Sequence, residues 1–188
     1  MSEYDQSLGY YKQVIAEMPG TEYAQDALQA IESIYQSQGR TDEYIDFADK
    51  AGVIKDKSDS EKETMYFNAA EQVFLTENYS KALASFQTYL ERYPSGQKVP
   101  EAEFYIAECY RNTGKKEQAC DWYRKSIEKG EGSAFAETAI LNFSRLSYDL
   151  QRYKDAFGGY SSLLEDAKIE NNRHTARVGM MRSAYKAG

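Results

Sequence analysis

The stretch Pro100-Glu-Ala-Glu-Phe-Tyr-Ile-Ala-Glu-Cys-Tyr110, followed by Gly114, Ala119, Cys120, Tyr123, Ser126 and Ile127, decides the fold of this chain. Ala102, Ile106, Ala107 and Tyr110 fall at offsets of three and four, the spacing of one face of a helix, and Ala119, Cys120, Tyr123, Ser126 and Ile127 do the same. Gly114 stands between the two segments. Glycine enters the left-handed region without a Cβ penalty, so the stretch predicts two antiparallel helices joined by a tight turn.

Working outward, the second of these segments recurs as Ser7-Leu8-Tyr11-Val14-Ile15, Tyr44-Ile45-Ala48-Ala51, Ala82-Leu83-Phe86-Tyr89-Leu90 and Ala156-Phe157-Tyr160-Leu163-Leu164, at steps of 37 or 38 residues. The first recurs as Ala27-Ile31-Ile34-Tyr35, Tyr66-Ala69-Ala70-Val73, Ile140-Phe143-Ser144-Leu146 and Val178-Met180-Met181-Ala184. Gly39, Glu77, Gln151 and Gly188 occupy the slot of Gly114. For Glu77 and Gln151 the expectation is that a neighbour such as Asn78 takes the left-handed conformation, or that another turn geometry is used. The period predicts an all-α array of helical hairpins, about ten helices, in units near 1–20, 21–57, 58–96, 97–133, 134–170 and 171–188.

Across Glu63 to Pro94 and Pro100 to Ile127, the order of small, aromatic and turn residues resembles the tetratricopeptide repeat. Tyr79, Ala82, Phe86 and Pro94 fit as well as Gly114, Ala119 and Tyr123. The sequence departs from the family in placing Glu103 where an aromatic is usual, and in spacing longer than the usual period of about 34 residues. The resemblance implies an α-α superhelix, a right-handed solenoid. The longer spacing is similar to that of bacterial cell-envelope repeat proteins, such as outer-membrane assembly lipoproteins and the periplasmic coordinator of the Tol-Pal system. It therefore implies the periplasm or cell envelope, with the cytoplasm left open.

The phase of the repeat opens the chain on a second helix and closes it on a first helix. Leu8, Tyr11 and Ile15 at one end, and Val178, Met181 and Tyr185 at the other, are expected to lie uncovered. This predicts an internal fragment of a longer array, with end-to-end self-association as a consequence, because a repeat gains stability from each neighbour it stacks on.

Composition narrows the partners. The chain has 188 residues, a net charge of −7, 41% apolar residues and 28% charged residues. An acidic balance disfavours nucleic acid, which needs a basic stripe to displace counterions. No apolar run approaches the roughly 20 residues that span a bilayer. Most of the 17 tyrosines are expected to pack between helices with their hydroxyls reaching the surface.

Residues for chemistry are sparse. His174 is the only histidine and reads as a solvated residue near a helix start. Cys109 and Cys120 lack zinc spacing and read as small buried apolar residues, with a disulfide left open. Ser60-Glu-Lys-Glu63 has the spacing of a capping box. Gly158-Gly159 falls inside a helix and predicts either a close backbone approach or a bend, since each glycine costs about 1 kcal/mol there relative to alanine. No catalytic residue, metal or cofactor is expected.

The family register implies that the first helices line a concave face. Among the residues carried there are Phe67, Glu71, Phe74, Phe104, Glu108, Arg111, Arg145, Tyr148, Arg182 and Tyr185. The run passes from aromatic and acidic to basic and aromatic, although some of these arginines could simply pair with Glu108 or Asp149. The Lys and Asn pattern of the family's peptide-carboxylate clamp is absent. The implied function is a non-catalytic scaffold holding a protein or peptide partner, the alternative being an accessory array attached to an enzymatic domain elsewhere.

Overall fold

The computed structural model describes residues 3–130 and 132–188. Met1, Ser2 and Glu131, which the expected units include, lie outside the described residues. Among the described residues the chain forms ten helices and no strand: α1 (Glu3–Glu17), α2 (Glu22–Ser37), α3 (Thr41–Lys50), α4 (Asp59–Leu75), α5 (Tyr79–Arg92), α6 (Val99–Asn112), α7 (Lys116–Lys129), α8 (Ala136–Asp149), α9 (Tyr153–Asp166) and α10 (Glu170–Ala187). The even-numbered helices are the first helices of the hairpins. The chain divides into two compact units, one ending at Glu77 and one running from Asn78 to Gly188.

In the first unit, Leu8 of α1 packs with Ile31 and Tyr35 of α2, and Ile15, Ile34, Tyr44 and Phe47 close around them. Leu8 is 4% exposed. The expectation that Leu8 and Ile15 lie uncovered is therefore corrected: α2 buries the stripe, and Tyr11 is the member left accessible. Tyr66 on α4 reaches back to Asp49 near the end of α3, donating a hydrogen bond of 3.2 Å.

The start of α4 corrects the capping box. Ser58, not Ser60, is the cap: its Oγ accepts from Glu61 N at 3.2 Å, and Glu61 Oε2 accepts from Ser58 N at 2.9 Å. Ser60 and Glu63 share the same spacing but lie inside the helix. Ser58 is extended, at φ −63° and ψ 159°, and only there can the side chain fold back over the first turn. Ser58→Ala should lower stability by about 1 kcal/mol, whereas Ser60→Ala should leave a urea melt almost unchanged.

The turns bring a second correction. Glu77 and Gln151 themselves adopt φ 60°, the conformation Gly39 and Gly114 supply elsewhere at φ 61° and 76°. The hairpin turn demands the left-handed region whichever residue fills it. Its steric penalty is roughly 1 kcal/mol for a residue with Cβ. Gln151→Gly should relieve that strain and raise the thermal midpoint, with a net gain of about 0.5 kcal/mol after the added freedom of the unfolded chain is counted.

In the second unit, Ala107, Ala119, Cys120, Tyr123, Ala139, Phe143 and Leu146 form one buried cluster of α6, α7 and α8. Leu141, Ala156, Tyr160, Leu163, Ala167 and Ala176 form the next, of α8, α9 and α10. The small residues let helices approach closely, and the aromatics fill the remaining space. Phe86 of α5 stacks on Tyr105 of α6 with ring centres 5.0 Å apart. Tyr89 and Tyr123 are wholly buried, so their hydroxyls do not reach the surface as expected for most tyrosines.

Both cysteines are buried and free. Cys120 Sγ lies 3.3 Å from Ser147 Oγ of α8, and burial pushes the Cys109 thiol up to about 12. The two glycines of α9 separate in role. A Cβ on Gly159 would lie 2.3 Å from Ser144 Oγ, whereas one on Gly158 would meet nothing within 4 Å. Close approach of α9 to α8 accounts for Gly159.

Candidate binding cleft

The expected surface residues meet different fates. In the first unit, Phe67 on α4 is 2% exposed and belongs to the interior, while Glu71 and Phe74 are half-buried. Phe67 therefore offers no open surface. In the second unit, Phe104 stacks on Phe135 with centres 5.2 Å apart and packs against Tyr105 and Tyr123, so its ring supports the helix pair.

Glu108 is only 8% exposed. Its Oε2 accepts from Arg111 Nε at 3.1 Å, one turn along α6, and its Oε1 accepts from the Tyr123 hydroxyl of α7 and from Asn142 Nδ2 of α8 at 3.0 Å. Asn142 Nδ2 also donates to the Tyr123 hydroxyl at 3.2 Å. A buried carboxylate is stable only with such partners. Burial, followed by the Glu108 charge, pushes the Tyr123 phenol far above its ordinary range and keeps it protonated as a donor. Arg111 is thereby committed to its own helix, as Glu108 is to three partners.

Arg145 and Arg182 differ. Among the described residues neither forms an ion pair or a side-chain hydrogen bond, and both are exposed. Asp149, the carboxylate expected to neutralise one of them, lies 3.5 Å from Lys116 instead. Arg145 and Tyr148 of α8 and Arg182 of α10 line a cleft of about 440 Å³ with Asp149, Tyr160, His174 and Thr175. Tyr185 is 85% exposed on the last turns of α10 and stands outside the cleft lining.

Tyr160 and Gly179 were not among the residues singled out for a surface role. Tyr160 comes from α9, and its ring lies directly against the α10 backbone at Gly179, where a Cβ would sit 2.5 Å from the ring. Gly179 thus sets where the phenol enters the cleft. Burial pushes the Tyr160 hydroxyl up; the charges of Arg145 and Arg182 oppose that shift, and those of Asp149 and Tyr148 add to it. Gly179 sits beside Val178 in a segment of helical period, but only the helix packing reveals its use.

Among the described residues no group of three His, Cys, Asp or Glu side chains is arranged to hold a metal ion. No helix of the described residues is long and apolar enough to cross a membrane.

Residues 101–129, α6 and α7 with their turn, match the family model of the tetratricopeptide repeat. No curated protein sequence matches the chain. Among solved structures, BtubC (BKLC) from P. vanneervenii is similar at 14% identity, with 98% of this chain and 82% of that chain covered and a TM-score of 0.56. The apo form of RapI is similar at 14% identity and a TM-score of 0.55; the alignment covers 94% of this chain but 53% of RapI, so this chain spans about half of its length. At these identities the likeness is one of fold. One hairpin of the chain, residues 101–129, thus matches the tetratricopeptide repeat model, within an all-α array of helical hairpins.

Proposed function

We propose that this chain is a non-catalytic scaffold that holds a peptide or partner protein on the first-helix side of its second unit, along α6, α8 and α10. The observation that carries the reading is the cleft between α8 and α10, where Arg145 and Arg182 stand without carboxylate partners beside Tyr148. Guanidinium groups next to aromatic rings suit segments that bring acidic and aromatic side chains together. The cell envelope is the proposed location, on the strength of the 37-residue spacing.

Selection from a displayed peptide library, followed by hydrogen-exchange footprinting of the winners, tests this. The expected footprint falls on α8 and α10, with acidic residues enriched among the selected peptides. A footprint confined to α7 and α9, or to the loops between hairpins, would move the binding surface elsewhere and overturn the reading.

A further inference from the structure

We infer that the α8–α9–α10 cleft is an oxyanion pocket, in which the Tyr160 hydroxyl and the guanidinium groups of Arg145 and Arg182 hold a carboxylate or phosphate group of a bound peptide. The inference rests on the scaffold reading and names the chemistry of its central contact. The Tyr160 ring is buried, and its hydroxyl, which has no hydrogen-bond partner among the described residues, is open at the cleft it lines. The hydroxyl is therefore a donor that water reaches, free to exchange that water for an acceptor entering the cleft. Its ring is fixed by Gly179 behind it and by Leu163 and Ala176 in the same cluster, and the residue lines the cleft.

Three donors from three successive helices therefore meet at one opening: Arg145 from α8, Tyr160 from α9 and Arg182 from α10. Among the described residues none of the three has a hydrogen-bond acceptor. A metal cation would be repelled by the two arginines, and a neutral apolar side chain would leave the phenol unmatched. An oxyanion satisfies all three, with charge-assisted hydrogen bonds from the guanidinium groups and a neutral one from the phenol. Asp149 also lines the cleft; its carboxylate is exposed and lies 3.5 Å from Lys116, so water screens it where the two arginines outnumber it. His174 at the rim adds a further nitrogen from α10. The carboxylate of an acidic side chain and the phosphate of a phosphorylated one share this chemistry.

The test is a titration of the full chain with inorganic phosphate and, separately, with glutarate, followed by backbone amide and arginine Nε resonances. Saturable shifts centred on Arg145, Arg182 and Thr175 are expected, with a dissociation constant of about 1 mM for the better probe. Preference for phosphate assigns the pocket to phosphorylated segments. Preference for glutarate assigns it to acidic ones.

Tyr160→Phe keeps the ring against Gly179 and should weaken binding about fivefold, the effect of one neutral hydrogen bond. R145Q/R182Q should abolish saturation while circular dichroism stays unchanged. Shifts that grow linearly with both probes to about 50 mM, far above the affinity expected of charge-assisted contacts, would overturn the pocket. So would affinity unaltered by R145Q/R182Q. If the pocket fails while displayed peptides still protect α8 and α10, the scaffold reading stands without it.

Discussion

Glu108→Ala is expected to destabilise the second unit by about 3 kcal/mol, the largest effect of any single polar substitution in that unit. The substitution removes one carboxylate and strips three partners at once. Tyr123, wholly buried, loses the acceptor of its hydroxyl; Asn142 loses one of its two; Arg111 loses its ion pair. The Arg111 component contributes little, because that side chain is 44% exposed and water replaces the carboxylate. Most of the loss comes from the buried phenol, with a smaller share from the half-buried Asn142 amide. Glu108→Gln retains an acceptor for Tyr123 and should cost only about 1 kcal/mol. Equal losses for the two substitutions in urea melts would show that the charge, and not the buried hydrogen bonding, holds the network.

Gly179→Ala is expected to destabilise by about 2 kcal/mol, although alanine is the better helix former by about 1 kcal/mol. The added Cβ would lie 2.5 to 2.6 Å from three atoms of the Tyr160 ring, which cannot retreat into the packed α8–α9 interface. Gly158→Ala provides the opposite sign. Its Cβ meets nothing within 4 Å, so helix propensity alone acts and stability should rise by about 1 kcal/mol. Differential scanning calorimetry on the two variants separates close packing from backbone freedom, and a stabilising Gly179→Ala would contradict the packing assigned to Tyr160.

The period of the chain made its helices legible. Apolar residues at helical offsets recur at 37 or 38 residues, and α1 and α10 begin and end within a few residues of the bounds that periodicity predicts. Periodicity carries less information about dihedral angles. Ser60-Glu-Lys-Glu63 and Ser58-Asp-Ser-Glu61 have the same spacing, and only the chain direction entering α4 selects Ser58. Likewise Glu77 and Gln151 take left-handed backbone because the hairpin closes there, whatever their own preference.

The cleft was legible in part. Register carried Arg145, Tyr148 and Arg182 to one side, and these three line the same opening. It also carried Phe67 and Glu108 there, because helical phase states direction but not how far the next helix advances to cover a residue. Tyr160 was read as one of the repeated packing aromatics. Its unmatched hydroxyl emerges only when the neighbours of α9 are in place, since Tyr123, at the same slot one repeat earlier, finds Glu108 and Asn142. The residue one turn before Arg111 is Glu108, and this local carboxylate is what leaves Arg111 committed while Arg145 and Arg182 stand unpaired.

Residue-resolved amide hydrogen exchange tests the central claim, that stability in this chain comes from stacking each helix on its neighbours. Exchange should be slowest in α6 to α9, where Ile106, Cys120, Tyr123 and Leu163 are almost wholly covered. It should quicken markedly in α1, which buries only Leu8, and in α10, which buries only Ala176, Gly179 and Ser183. A single opening free energy shared by α1, α6 and α10 would contradict the claim, because it would require one closed core that unfolds as a whole.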